Sequence, residues 1–334
     1  MGDCSGSGMK RSWITNLALV LGALAATLAV LSLAIAFCSR PPPPPLTEND
    51  KIYRPSEIPG LPFEHLPGGR GRIVGVDTRI NSLGFRGPEV PVQKPAGTWR
   101  VVVLGDSVVF GQGVEEAETL PAQLQRWLRA RSPQPVEVIN AGVRGYNLTH
   151  YRVLLEERVL GLSPDVLVLV ITEINDFELQ TFQFQPPRAT RLGEHSIWMR
   201  FPVSRWVIQR LDGLDYIPAW QEHARRSYDP QGPDWKAGTE TLLAIQRDCA
   251  ARGIRLLALP VPLLEDDNTL ATERAQLKAF LKQSGIIAID PKPELSRYRA
   301  QDLVVSPMDF HPNTRGLGIL VQLLAPAILR GEAK

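Results

Sequence analysis

The chain has 334 residues and a formal net charge of +2, with 37 basic side chains against 35 acidic ones. So small an imbalance, with no Lys/Arg run interleaved with aromatics, argues against a nucleic-acid partner. Three cysteines, Cys4, Cys38 and Cys249, are too scattered for a disulfide framework or a metal site. Arginine outnumbers lysine 29 to 8, a usage that points to a GC-rich, bacterial genome.

Residues 1–12 are a short N-terminal segment ending in Lys10, Arg11 and Ser12, and residues 13–39 form an uncharged stretch of 27 dominated by Leu, Ala, Val and Ile. At about 1.5 Å per residue this stretch exceeds a ~30 Å hydrocarbon core and predicts a transmembrane anchor. Lys10 and Arg11 before it, against Arg40 after it, favour a cytoplasmic N-terminus and place the rest outside the cytoplasm. A cleaved signal peptide with Ala34-Ile-Ala36 as its site is the alternative, although the apolar run is long for one. A lipoprotein reading at Cys38 meets the bulky Phe37 where a small residue is needed. Residues 40–50 hold a five-proline run at 41–45, a stiff spacer that lifts the C-terminal bulk of the chain off the bilayer. Residues 51–99 are rich in Pro and Gly and include Asn81-Ser-Leu-Gly-Phe-Arg-Gly87; we read them as a strap with Phe85 buried and Gly84 and Gly87 in turns.

The main domain is expected over residues 100–330. Arg100-Val-Val-Val-Leu-Gly-Asp-Ser107 is an apolar run stopped by turn residues, which predicts a strand buried on both faces, as in a parallel α/β sheet. Ser107 then lies at a strand's carboxyl end, where such sheets bind ligands and the next helix points its N–H groups. A helix capped by Thr119 follows, with Pro121 in its first turn and Leu120, Leu124, Trp127 and Leu128 on one face. The second strand, 136–139, leads into Asn140-Ala-Gly-Val-Arg-Gly-Tyr-Asn147 and a helix over 149–160. The third, 165–171, leads into Thr172-Glu-Ile-Asn-Asp176. Residues 177–234 are long for a strand-to-helix connection and mix nine aromatic rings with arginines, which predicts a partly helical cap. Helices over 235–251 and 271–283, each followed by a glycine, feed strands at 254–260 and 286–290; a last helix, 314–329, follows Met308-Asp-Phe-His-Pro-Asn313. Five strands alternating with helices predict a three-layer, flavodoxin-like α/β fold with a five-stranded parallel sheet in the order 2-1-3-4-5.

These four motifs, in this order, resemble the SGNH, or GDSL-type, hydrolase family over about residues 50–330. A strap-like N-terminal extension is likewise similar to that of many membrane-attached and secreted members. Carried over residue by residue, the resemblance makes Ser107 the nucleophile, Asp309 and His311 its orienting acid and base, and Ser107, Gly142 and Asn175 the oxyanion-hole donors. The chemistry needs these types: a serine hydroxyl is a poor nucleophile until an imidazole takes its proton, and a carboxylate fixes that imidazole's tautomer. The pattern departs from the family at two places. Glu173 stands where many members have glycine, and Asp309 is two residues before His311 where better-known members have three. By strand alternation Glu173 shares a side with Asn175, so it is a candidate for lining the pocket; Arg86 is a candidate for contacting substrate. A nucleophile elbow would read Gly-x-Ser-x-Gly, whereas Gly105-Asp-Ser-Val-Val109 has valine two after the serine, which excludes that other fold.

The resemblance implies a serine esterase that uses no metal and no cofactor and whose partner is an ester substrate. Rings interleaved with arginines at 177–234, and a spacer holding the domain off the bilayer, favour short acyl groups such as acetyl on a cell-surface carbohydrate. An O-acyltransferase passing the same acyl-enzyme to a sugar hydroxyl, a lipase or thioesterase, and a non-catalytic binding module on this fold are the alternatives; intact Ser107, Asn175 and His311 weigh against the last.

Overall fold

The computed structural model describes residues 7–38, 51–180, 196, 198, 201–264, 269–306 and 309–330. The chain divides into two compact units, one made of Met1–Pro45 and Gln183–Ala219, the other of Leu46–Phe182 and Trp220–Lys334. In the first, α1 (Ser7–Cys38) contains a 22-residue stretch, Trp13–Ala34, that is long and apolar enough to cross a membrane and is not buried by the protein. Its apolar residues surround the axis instead of forming one stripe, as a lipid-facing helix requires.

The second unit opens with the strap. β1 (Tyr53–Pro55) pairs antiparallel with β2 (Phe63–His65), and β3 (Arg70–Ile73) with β4 (Val76–Arg79). Asn81 fixes the loop after β4: its Oδ1 accepts the N–H groups of Leu83 and Phe85, and its Nδ2 donates to the Pro88 carbonyl. Gly84 there has φ +86°, a conformation that favours glycine, and Phe85 is buried behind it.

His65 lies under this strap, 4% exposed, with Nδ1 3.0 Å from the Gly84 carbonyl. Burial, assisted by Arg86 and Arg144, pushes its pKa down to about 4 from an ordinary 6.5. Below pH 6.5 the unfolded chain therefore takes up a proton that the folded chain refuses. Relative to the neutral state, stability is full above pH 6.5 and is lost progressively as pH falls from 6.5 to about 4, a change of about 3 kcal/mol. Urea unfolding at pH 7 and pH 4.5 is expected to show this loss, and His65→Asn, which keeps the donor to Gly84, to reduce it. An identical pH slope in the variant would assign acid sensitivity to other groups.

The central sheet contains β5 (Trp99–Gly105), β6 (Val136–Gly142), β7 (Val166–Thr172), β8 (Arg255–Val261) and the two-residue β9 (Ile287–Ala288), in the order β6-β5-β7-β8-β9, all parallel. This is the expected 2-1-3-4-5 order. Successive side chains of β5 and β7 enter opposite cores, which is why their sequences are unbroken apolar runs. Val102, Leu104, Leu167 and Leu169 join α4 (Leu148–Leu154), α6 (Pro233–Ala251) and α7 (Ala271–Gln283) on one face. Val101, Val103, Val168 and Val170 join α3 (Leu120–Arg129) and α8 (Thr314–Leu329) on the other. In chain order α2 (Ser107–Phe110) follows β5, and α5 (Pro202–Ser227) precedes α6, its residues from Trp220 onward belonging to this unit.

Two expectations differ in detail. The helix expected over 149–160 is α4 followed by a π turn, Leu155–Val159, and a 3₁₀ turn; the extra residue turns Leu155, Val159 and Leu162 together against the core. β9 is shorter than expected because it is an edge strand whose residues are exposed.

Candidate active site

Gly105 ends β5, and the chain turns at once into α2, whose first residue is Ser107. Asp106 makes that turn. Fully buried, its Oδ1 accepts the Val108 N–H and the Thr172 hydroxyl, both at 2.9 Å, while Oδ2 receives Asn175 Nδ2 at 3.3 Å and lies 3.2 Å from Ser107 Oγ. One carboxylate thus joins the loops after β5 and β7, a role that the motif's letters do not announce although Asp106 stands inside it. Asp176 anchors the second loop from below. It accepts the Thr172 N–H at 2.7 Å and the Tyr151 hydroxyl at 2.8 Å, and burial, with Asp106 nearby, pushes its carboxyl well above the usual range.

His311 arrives from the other end of the chain on β11 (Asp309–Pro312), which pairs with β10 (Val304–Ser306) just before α8. Asn313 fixes this junction, capping α8 at the Arg315 and Gly316 N–H groups and donating to the carbonyls of Asp302 and Val304. His311 Nε2 lies 2.8 Å from Ser107 Oγ, and Nδ1 lies 2.5 Å from Asp309 Oδ1. With the Nδ1 proton directed at the carboxylate, Nε2 is the acceptor and Ser107 Oγ the donor. Extended backbone explains how two-residue spacing suffices: residues i and i+2 of a strand share a face, and Asp309 Oδ1 also accepts the His311 backbone N–H at 3.1 Å. Burial acts to raise the Asp309 carboxyl, but the hydrogen bonds and charge of His311 outweigh it and hold it below the usual range. Gln112 completes the cluster, its Nε2 3.3 Å from Asp309 Oδ2 and its Oε1 accepting Arg144 Nε at 2.7 Å. Neither Gln112 nor Arg144 is legible as a site residue in the sequence, since a lone Gln between two glycines carries no chemical signal.

Three sequence-based assignments change. The Gly142 N–H donates to Asn140 Oδ1 at 3.0 Å, so it is already engaged within its own loop. What demands glycine there is space: a Cβ would lie 2.2 Å from the Phe110 backbone nitrogen. Glu173 does not line the pocket, because β7 ends at Thr172 and alternation ends with it. Its carboxylate, 1% exposed, pairs with Arg274 Nε at 2.9 Å, and burial pushes it up to about 7 against the pull of that arginine. Arg86 is 3% exposed and its guanidinium donates to the carbonyls of Phe110, Gly111 and Val114. It therefore clamps the end of α2 from behind instead of facing substrate.

The expected cap over residues 177–234 falls partly on 181–195, 197 and 199–200, outside the described residues. At the C-terminal end of the insertion Ala224 packs with Ile174, and Trp220 and Phe310 border the same cluster. The Tyr228 hydroxyl donates to the Glu173 carbonyl at 2.9 Å. These contacts brace the turn that carries Asn175.

A doubly wound parallel sheet with a serine, a histidine and a carboxylate hydrogen-bonded in series at its carboxyl edge defines a serine ester hydrolase. The GDSL-like lipase/acylhydrolase family matches residues 103–318, and the chain belongs to it. Similar solved structures include the acetyl xylan esterase AlAXEase, 15% identical over 69% of this chain and 99% of that one, with a TM-score of 0.44. The lipase/acylhydrolase from Enterococcus faecalis is 16% identical over 69% and 95%, at 0.42. LAE5, an alpha/beta hydrolase enzyme from the metagenome of Lake Arreo, is 16% identical over 69% and 94%, at 0.44. No curated protein matches.

Proposed function

We propose that this hydrolase removes short acyl groups, acetyl above all, from a cell-surface carbohydrate through an acyl-enzyme on Ser107. The observation that carries this reading is the continuous contact from Ser107 Oγ to His311 Nε2 and from His311 Nδ1 to Asp309. His311 takes the Ser107 proton as Oγ attacks the ester carbonyl, and returns it to the departing alcohol. Water, deprotonated by the same nitrogen, then releases the acid and restores the hydroxyl. The tetrahedral oxyanion is met by the Ser107 N–H and by Asn175 Nδ2, which turns from its long 3.3 Å contact with Asp106. Gly145 takes the place expected of Gly142. It sits at φ +78° in the turn closed by Tyr146 N–H to the Val143 carbonyl, and its own N–H has no partner among the described residues.

The carbohydrate part of the reading is supported by the insertion's sequence, which interleaves aromatic residues with arginines, and by the five-proline spacer. Flat rings and guanidinium donors suit sugar faces and oxygens; an acyl chain is bound by continuous aliphatic area. The α1 helix tethers the domain at the outer face of a membrane in this account. Activity is therefore expected to fall as the acyl chain lengthens. Measured kcat/KM across acetyl, butyryl, octanoyl and palmitoyl esters tests this, and a rise toward octanoyl or beyond would replace the carbohydrate reading with a lipase or thioesterase one.

A further inference from the structure

We propose that the groove between the strap and the turn at 143–146 holds the sugar ring that carries the ester, so that β1 and β2 form a carbohydrate-binding wall beside the triad. This rests on the ester-hydrolase reading above and specifies what lies next to the reacting carbonyl. The groove is open, encloses about 560 Å³, and is lined by Tyr53, Arg54, Phe63, Arg144 and Gly145, flanked by two prolines. That volume falls within the ~300–1,000 Å³ of small-molecule sites.

Its chemistry is that of a sugar site. The rings of Tyr53 and Phe63 meet edge to face, centroids 5.5 Å apart at 85°, and both remain partly exposed. Phe63 also packs on Tyr146, whose hydroxyl donates to the Phe63 carbonyl, so the platform is held in place before anything binds. A pyranose offers an apolar C–H face and an edge of hydroxyl oxygens; the rings receive the first and guanidinium N–H groups the second. No leucine, isoleucine or valine lines the groove, which removes the aliphatic wall an acyl chain needs. Two guanidinium groups, those of Arg54 and Arg144, line the groove, and Arg54, paired with Glu64 at 2.7 Å, is held in place there to offer donors to hydroxyl oxygens.

The groove is linked to the triad by hydrogen bonds. Gly145 has no side chain to block its end, and the Val143 N–H of the same turn donates to the Gly105 carbonyl at 3.0 Å, against the strand that carries the nucleophile. Arg144 Nε bonds Gln112, and Gln112 touches Asp309, so two side chains separate groove from triad. An ester carbonyl over Ser107 would thus have its alcohol portion directed toward Tyr53 and Phe63.

The test compares full-length protein in detergent on p-nitrophenyl acetate, which lacks a sugar, and on cellobiose octaacetate. Tyr53→Leu and Phe63→Leu keep apolar bulk but remove the ring face. Each is expected to lower the ratio of kcat/KM on the octaacetate to that on p-nitrophenyl acetate by about tenfold, through KM. Should these replacements unfold the strap, Arg54→Gln, whose side chain is 42% exposed, carries the test with a fall in the same ratio expected. An unchanged ratio, or a wild-type enzyme that cleaves p-nitrophenyl acetate but not the octaacetate, overturns the groove and leaves the esterase standing. Failure of the wild type on both substrates overturns the esterase reading and the groove with it.

Discussion

Replacing Ser107 or His311 with alanine is expected to lower kcat on p-nitrophenyl acetate by about three orders of magnitude or more, with little change in folding. Ser107 Oγ supplies the new bond and His311 Nε2, 2.8 Å away, the base, so losing either removes the covalent route altogether. Asn175→Ala removes one oxyanion donor and is expected to lower kcat roughly 10²–10³-fold. Asp309→Ala should be milder than either Ser107 or His311. Its carboxylate orients the imidazole, and Gln112, 3.1 Å from Nδ1, can swing its amide oxygen toward that proton once Asp309 is gone. Stopped-flow or steady-state assays of the four variants give the ranking. An Asp309→Ala enzyme as inactive as His311→Ala would show that Gln112 offers no substitute.

Gly142→Ala is expected to destabilise the fold severely. The added methyl would lie 2.2 Å from the Phe110 backbone nitrogen and 2.6 Å from the Val109 carbonyl carbon, atoms of the helix that begins at Ser107. Backbone cannot give way as a flexible side chain does, so the strain is at least the ~1–3 kcal/mol typical of overpacking. The substitution leaves the Gly142 N–H in place. A role as oxyanion donor alone would therefore predict a stable variant, whereas steric necessity predicts one with a lowered Tm and lost activity. Thermal unfolding distinguishes the two, and an unchanged Tm would contradict the packing account.

Much of this architecture is legible in the sequence because it follows from periodicity. Apolar runs such as 101–104 and 166–171 have no polar face to present, so they must be central strands, and glycines after two helices mark where the chain turns back. The serine, the histidine and the asparagine are legible because each falls directly after a strand or before a helix. The hidden features depend on contacts between distant segments. Arg100 is a charge at the head of an apolar run, yet it is fully buried, bonding Glu137 and the carbonyls of Pro91, Val92 and Leu162. Arg86 and Glu173 look available to substrate for the same reason: no local pattern announces that a charged side chain has a buried partner, whether the Phe110–Val114 carbonyls or Arg274. Gly142 and Gly145 read alike as letters, and only the engaged N–H of one and the left-handed backbone of the other separate them.

The central claim is that Ser107, activated by His311, forms the covalent intermediate. It is tested most directly by incubating the full-length protein with a fluorophosphonate and mapping the adduct by peptide mass spectrometry. We predict a single adduct on Ser107, absent from Ser107→Ala and strongly slowed in His311→Ala. Labelling at another residue, or undiminished esterase activity in Ser107→Ala, would contradict it.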